Sequence, residues 1–350
     1  MAEQSSDSTA NVRGTDFDVD DLPMRVGVGQ FMQPTPERLR YIDQLGVEDI
    51  LLNMYATPLL SDTEVPLTGD SEWDFQELVQ LRNRVEDAGL RLNAIENLPI
   101  SFYEDVMLGG PDRDEQLEHV KTTIRNMGRA GIPILGYHWS PSGVWRTSTS
   151  RRVRGGAEAT GLDAAELEDA PLSHDREYTE EELWENYEYF LEAVLPVAEE
   201  AGVTLALHPN DPPLERVGGV PFLFRNFENF KRAMDLVESD NHGLEFCLGT
   251  WSEMGEDLFE VIEYFGERDE LVYVHFRDVE GTLPSFTETF LDEGNFDEYA
   301  ILEALDDVGF SGLMIPDHVP RLEGDDDWKD RGRAYTVGYI KGMLRGVRSS

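Results

Sequence analysis

VTLALHP (203–209), LEFCLGT (244–250), LVYVHFRD (271–278) and GLMIPDH (312–318) share one design: an apolar run of strand length that ends in a side chain able to bind a metal. Similar runs start near Met24 (MRVGVGQF), Glu48 (EDILLNM), Arg91 (RLNAIEN) and Pro133 (PILGYHW), which brings the number to eight. Near-continuous apolar strands belong to parallel sheets covered on both faces, and the cover must come from the segments between them. Those segments are helix-like: TPERLRYIDQLG, DFQELVQLRNRVEDAGL, EQLEHVKTTIRNMGRAG, TEEELWENYEYFLEAVLPVAEEAG and FDEYAILEALDDVGF. Several close with Gly before the next strand, as a helix C-terminus does. Eight β-then-α units without a Gly-x-Gly-x-x-Gly turn favour a closed (β/α)8 barrel over an open nucleotide-binding sheet.

The barrel is expected as one domain over residues 23–350, preceded by a flexible acidic tail at 1–22. Its longest irregular stretch, Ser140 to Tyr178, follows the fourth strand and should lie over the C-terminal mouth, where such loops are usually functional. Arg146, Arg151, Arg152 and Arg154 fall inside it and form the main basic concentration of the chain.

That concentration stands out against the composition. Asp and Glu total 71, Lys and Arg 29, for a formal net charge of −42. The lysines are only Lys121, Lys231, Lys329 and Lys341. Such a surface repels nucleic acid and anionic membrane, and at molar salt, where the Debye length is about 3 Å, its self-repulsion is screened. We read the acidity as adaptation to high salt. No stretch approaches the roughly 18 apolar residues of a membrane span, and a cytoplasmic protein is expected. The single cysteine, Cys247, excludes an internal disulfide and is either a small buried hydrophobe or a chemically used thiolate.

In a barrel, strand ends converge at the C-terminal face. His208, Cys247, His275 and Asp317 would then meet, and imidazole, thiolate and carboxylate together can hold a divalent cation with positions open for substrate. One such residue alone is more often packing; four at matching points of consecutive units are not explained by packing. His119, His174 and His242 read as surface residues, and His138, which also ends a strand, is left open. Asn210 and Asp211 follow His208 in HPNDPP, where prolines stiffen the loop and fix the aim of these two side chains, which are expected to bind substrate. Arg277 could bind a substrate carboxylate in a bidentate fork or pair with an acidic neighbour. Glu96 could support the metal ligands or accept from a substrate hydroxyl.

With EDAGL, WENYEYFLEAVLPVAEEAGVTLALHPNDPP, GGVP, FCLGT, HFRD, FTETFLDEGNFDEY, PDH and AYTVGYIKGM, the chain from about Asp87 onward resembles the mannonate dehydratase family of xylose-isomerase-like TIM barrels. The resemblance implies loss of water from a sugar acid, D-mannonate in the first place. It also implies a divalent metal, usually manganese, with magnesium, cobalt, iron or zinc as alternatives, on His208, Cys247, His275 and Asp317. It further implies catalytic roles for His318 and Tyr335, a substrate-binding Arg277, and a loop over the site at Trp145 and Arg146. MRVGVGQF, LLNMY and IPDHVP depart from the family's usual wording at the substrate end. A small sugar acid is the expected partner, and a homo-oligomer is left open. Two other functions share parts of this pattern: a sugar isomerase or epimerase on the same barrel, and a non-catalytic sugar-acid binding protein.

Overall fold

The computed structural model describes residues 23–54 and 66–347; the expected tail at 1–22 lies outside them. Eight parallel strands close into a barrel: β1 (Arg25–Val28), β2 (Asp49–Asn53), β3 (Arg91–Glu96), β4 (Ile134–His138), β7 (Thr204–His208), β10 (His242–Cys247), β11 (Leu271–Phe276) and β14 (Leu313–Pro316). Each lies within a residue or two of the run that signalled it. The helices α1 (Pro36–Gln44), α2 (Phe75–Glu86), α3 (Glu104–Leu108), α4 (Arg113–Ala130), α5 (Glu180–Ala201), α6 (Phe227–Leu236), α7 (Leu248–Met254), α8 (Leu258–Gly266), α9 (Glu298–Asp307) and α10 (Asp330–Val347) connect them.

Local chemistry sets the helix ends. Thr179 and Glu182 make a reciprocal capping box at the start of α5, and Gly202 ends it with φ 64°, a left-handed conformation that costs glycine nothing. Asp74 and Asp297 accept from the first free amides of α2 and α9.

Alternation along each strand divides the barrel interior into two zones. The lower positions are filled by Leu51, Ala94, Ile134, Ala206, Tyr273, Leu313 and Ile315, a compact cluster sealed from the outer one. Two residues further along the same faces stand Asn53, Glu96, Gly136, His208, His275 and Asp317. The apolar floor and the polar rim therefore follow from one period-two pattern. The larger cluster, between strands and helices, holds Val28, Ile95, Leu135, Leu207, Phe246 and Val274 against the apolar faces of the helices.

The stretch expected to be irregular at 140–178 is largely built. Its strands β5 (Ser148–Arg152) and β6 (Glu158–Asp163) pair with β12 (Val279–Thr282) and β13 (Ser285–Glu288), which follow the seventh barrel strand, in a four-stranded sheet, the arm. Leu162, Val279 and Phe286 give it its own apolar cluster. Pairing between two distant loops made the arm invisible to local periodicity. A short hairpin, β8 (Arg216–Val217) with β9 (Val220–Pro221), completes the loops.

His242, expected at the surface, is buried at the start of β10. Its Nε2 lies 2.9 Å from the Tyr137 hydroxyl, and burial pushes its pKa down to about 3. The polar sequence SDNHG hides this because the turn ends one residue earlier than its composition suggests.

Candidate metal centre

Lateral register brings the strand-end residues together. Cys247 faces His275 across β10 and β11, His138 faces His208 across β4 and β7, and Asn53 faces Glu96 across β2 and β3. Above them opens a pocket of about 200 Å³, walled by Gln30, Asn53, Glu96, Asn97, His138, His208, Glu245, His275, Asp317 and His318, with Ser140, Gly143 and Val144 from the loop after β4 and Pro209 and the expected Asn210 and Asp211 from the loop after β7.

Ligand atoms of His208, Cys247 and His275 lie within 4.8 Å of one another. Nδ1 of His208 is 2.6 Å from the Pro209 carbonyl oxygen. A carbonyl only accepts, so Nδ1 carries the hydrogen and Nε2 keeps its lone pair for a cation. Nε2 of His275 lies 2.9 Å from Glu96 and 3.0 Å from Glu245, while Nδ1 lies 3.5 Å from Asp317. The two glutamates therefore hold one edge of the ring and leave the other to Asp317. Cys247 Sγ accepts from the Thr250 hydroxyl at 3.2 Å and lies 3.9 Å from Asp317 Oδ2.

Charge follows the geometry. Burial would raise the Cys247 thiol, yet Arg277 and the two imidazoles take it down to about 5, so it is a thiolate at neutral pH. Burial likewise opposes ionisation of Asp317, but His318, His275 and Arg277 hold its carboxyl well below the usual range. His208 goes the other way: burial lowers it, while Glu245 and Cys247 lift it to about 9. Two anionic donors and two imidazoles drawn towards protonation describe a place of strong negative potential, where a cation competes with protons. Sulfur, two nitrogens and an oxygen suit a transition metal better than calcium or magnesium. These residues fit a divalent metal.

Arg277 and Arg146 do not line the pocket. Arg277 is 1% exposed, with Nη1 donating to Glu253 at 2.8 Å, Nη2 to Asp211 and Thr250, each at 2.8 Å, and Nε 2.9 Å from Asp317. Arg146 forks onto Asp211 at 2.5 and 2.7 Å and reaches Glu288 at 3.0 Å. Of the two readings of Arg277, pairing with acids is the one the structure shows. Asp211, between both arginines, is held well below its ordinary pKa despite burial.

Other expected residues also have internal partners. Asn210 donates to the Trp139 carbonyl at 3.0 Å and accepts from Phe224 N at 2.7 Å, which pins its loop. Trp145 donates its indole hydrogen to the Ser142 carbonyl, 3.0 Å away. Glu96 takes hydrogen bonds from Gln30, Asn53 and Tyr273 as well as His275. It buttresses the candidate ligand set. His318 does line the pocket, with Nδ1 2.6 Å from Glu288 Oε1.

Tyr335 is elsewhere. It is 36% exposed on α10, donates to Asp292 at 3.0 Å and sits beside Arg154, outside the pocket walls. α10 starts only at Asp330, so the turn bearing Tyr335 faces the arm rather than the barrel axis. Conversely, Glu245 was missed by sequence reasoning although a signal existed: an acid two residues before Cys247, inside a strand buried at every position, must face the same way as the thiol. Glu288 and Glu253 gave no such signal. His138 joins the pocket, its Nδ1 2.7 Å from Asn97 Oδ1, and burial pushes it down to about 4.

Comparison with known proteins agrees with this architecture. The sequence model of the D-mannonate dehydratase (UxuA) family matches residues 24–177 and 170–350. Mannonate dehydratase 2 of Halalkalibacterium halodurans is 30% identical over 358 residues, 93% of this chain and 100% of the relative. The mannonate dehydratase of Thermotoga maritima is 31% identical, covering 89% and 94%. The crystal structure of mannonate dehydratase from Streptococcus suis serotype 2 superposes with a TM-score of 0.82 at 29% identity, covering 93% and 95%. An L-ribulose 3-epimerase, with a TM-score of 0.58 at 18% identity over 93% of this chain and 96% of its own, shares the barrel. This chain belongs to the D-mannonate dehydratase family.

Proposed function

We propose that this protein removes water from D-mannonate to give 2-keto-3-deoxy-D-gluconate, as a hydro-lyase, with His208, Cys247, His275 and Asp317 holding a divalent cation. The observation that carries the reading is the meeting of three of these side chains within 4.8 Å beneath a pocket that His318 also lines. A bound cation supplies a Lewis acid for the negative charge that builds beside the substrate carboxylate when the C2 proton leaves.

The chain's own residues do the rest. Among the described residues no lysine or arginine lines the pocket; a cation held by the four ligands would supply positive charge for the substrate carboxylate, and Gln30, Asn53 and Asn97 are placed for hydroxyl groups. His318 takes the C2 proton at its ring nitrogen. With Tyr335 outside the pocket, the same ring returns a proton to the C3 hydroxyl, which departs as water while the C2–C3 enol forms and then tautomerises to the ketone. Arg146 and Arg277 keep Asp211 and Asp317 ionised and aimed.

Manganese is the proposed ion. The acidic excess supports a cytoplasm of high salt as the setting, and the family match from 24 to 350 supports one barrel domain behind an acidic segment at 1–22. Metal-loaded protein incubated with a panel of aldonic acids, read for 2-keto-3-deoxy acids, should form product from D-mannonate. Product from another aldonic acid alone would move the substrate, and inversion at one carbon without loss of water would replace the reaction.

A further inference from the structure

We propose that Glu288 is the positioning residue for His318, fixing its ring so that Nδ1 carries the hydrogen and Nε2 is the atom presented to substrate. The role of His318 in turnover rests on the dehydratase reading above; the orientation of its ring does not.

Glu288 comes from β13 of the arm, not from the barrel, and is 2% exposed. Its Oε1 lies 2.6 Å from His318 Nδ1. A carboxylate oxygen can only accept, so this contact needs the hydrogen on Nδ1. The same oxygen accepts from Arg146 Nη2 at 3.0 Å. Arg146 is gripped in turn by Asp211 and stacked 5.2 Å over the Phe286 ring, two residues before Glu288. The acceptor therefore has little freedom to turn away. His318 Nε2 lies 3.7 Å from Asp317 Oδ1, so the free nitrogen faces the metal-ligand side.

A neutral imidazole takes a proton only at its bare nitrogen. Were the hydrogen on Nε2, the ring would offer substrate a donor where a base is needed. A buried carboxylate behind a histidine solves this by fixing tautomer and direction together, and losing such a partner typically costs about 10- to 100-fold in activity. The arm thereby acts on the chemistry, because Arg146 on one loop and Glu288 on the other set the ring that works in the barrel mouth. Were Glu288 only an ion partner of Arg146, its loss would disturb the arm without changing which nitrogen of His318 is protonated.

Wild type is compared with Glu288→Ala and Glu288→Gln, the last keeping an oxygen that can accept from Nδ1. ¹⁵N-histidine spectra of zinc-loaded protein in alkaline buffer, with the His318 signal assigned by its loss in His318→Asn, report the tautomer without turnover. Wild type and Glu288→Gln should show the hydrogen on Nδ1, and Glu288→Ala a shift towards Nε2. With D-mannonate, Glu288→Ala should lose at least roughly tenfold in kcat at KM and metal content within about twofold, and Glu288→Gln should recover part of the loss. The proposal is overturned if wild-type His318 carries its hydrogen on Nε2, a result available even if the alanine variant does not fold. It is also overturned if Glu288→Ala keeps full kcat, or loses metal and KM in parallel with kcat. Absence of turnover by wild type would strike the dehydratase reading alone, since the spectra stand apart from it.

Discussion

Cys247 is buried, anionic and two residues from Glu245 on one strand face, a charge that Arg277 and the imidazoles of His208 and His275 offset and that a bound divalent ion would neutralise further. Replacing it, or His275, with alanine should therefore remove the metal as well as turnover. Metal analysis of protein purified without chelator should fall from about one ion per chain to near zero, because each ligand contributes to a site that must outcompete protons. Full activity in a metal-free sample would end the proposal. Tyr335 makes the opposite case. Its hydroxyl serves Asp292 and Arg154 at the rim of the arm, so Tyr335→Phe should hold turnover within about twofold, against the roughly hundredfold loss that follows removal of a general acid or base. A hundredfold drop in kcat with metal retained would bring the phenol back into the chemistry.

β10 shows how one element serves both sides of the barrel wall. Glu245 and Cys247 point inward, while His242 packs outward against Tyr137 on β4 and Tyr187 on α5. Burial keeps His242 neutral down to about pH 3, whereas in the unfolded chain it titrates near 6.5. Between those values the unfolded state binds the extra proton, so this group's contribution to stability is complete above pH 6.5 and shrinks as pH falls. Asp278 and Glu298, lifted by burial to about 7, have the reverse slope, but both remain in a His242→Gln variant and drop out of the comparison. Urea unfolding at about pH 7 and about pH 5 should show wild type losing more stability than His242→Gln over that interval. Equal losses would mean that His242 is protonated in the folded protein.

At the level of the whole molecule, a net charge of −42 sits on a fold whose core is otherwise ordinary. Most of the 71 acids cannot find a cation among 29 basic residues, and several of the arginines are already committed inside the mouth of the barrel. On the proposed high-salt reading, dissolved ions would do the screening that basic side chains do elsewhere. Relief of about 3 kcal/mol of self-repulsion would raise Tm by roughly 4 °C in a chain of this size. Melting followed from dilute buffer to molar KCl should show a rise of that order, and a flat profile would show that the acidity has another purpose.

The sequence by itself determined the eight β-then-α units, the absence of a nucleotide-binding turn and the candidate ligands at the ends of four consecutive strands. Burial on both faces of a parallel strand forces a continuous apolar run, and a His, Cys or Asp that ends such a run is conspicuous. It also held a signal for Glu245, in the alternation counted backwards from Cys247, that the ligand pattern alone passed over. Only the tertiary structure decided where the charges go. Arg146 meets Asp211 from 65 residues away and Glu288 from 142, and no local period encodes either pairing. The same distance effect hid the arm, whose strands find their partners across two loops, and misplaced Tyr335, whose direction depends on where α10 begins. Side chains whose roles depend on which face of a strand they occupy can be read in one dimension. Those whose roles depend on a distant partner have to wait for the fold, because a buried charge is defined by whatever neutralises it.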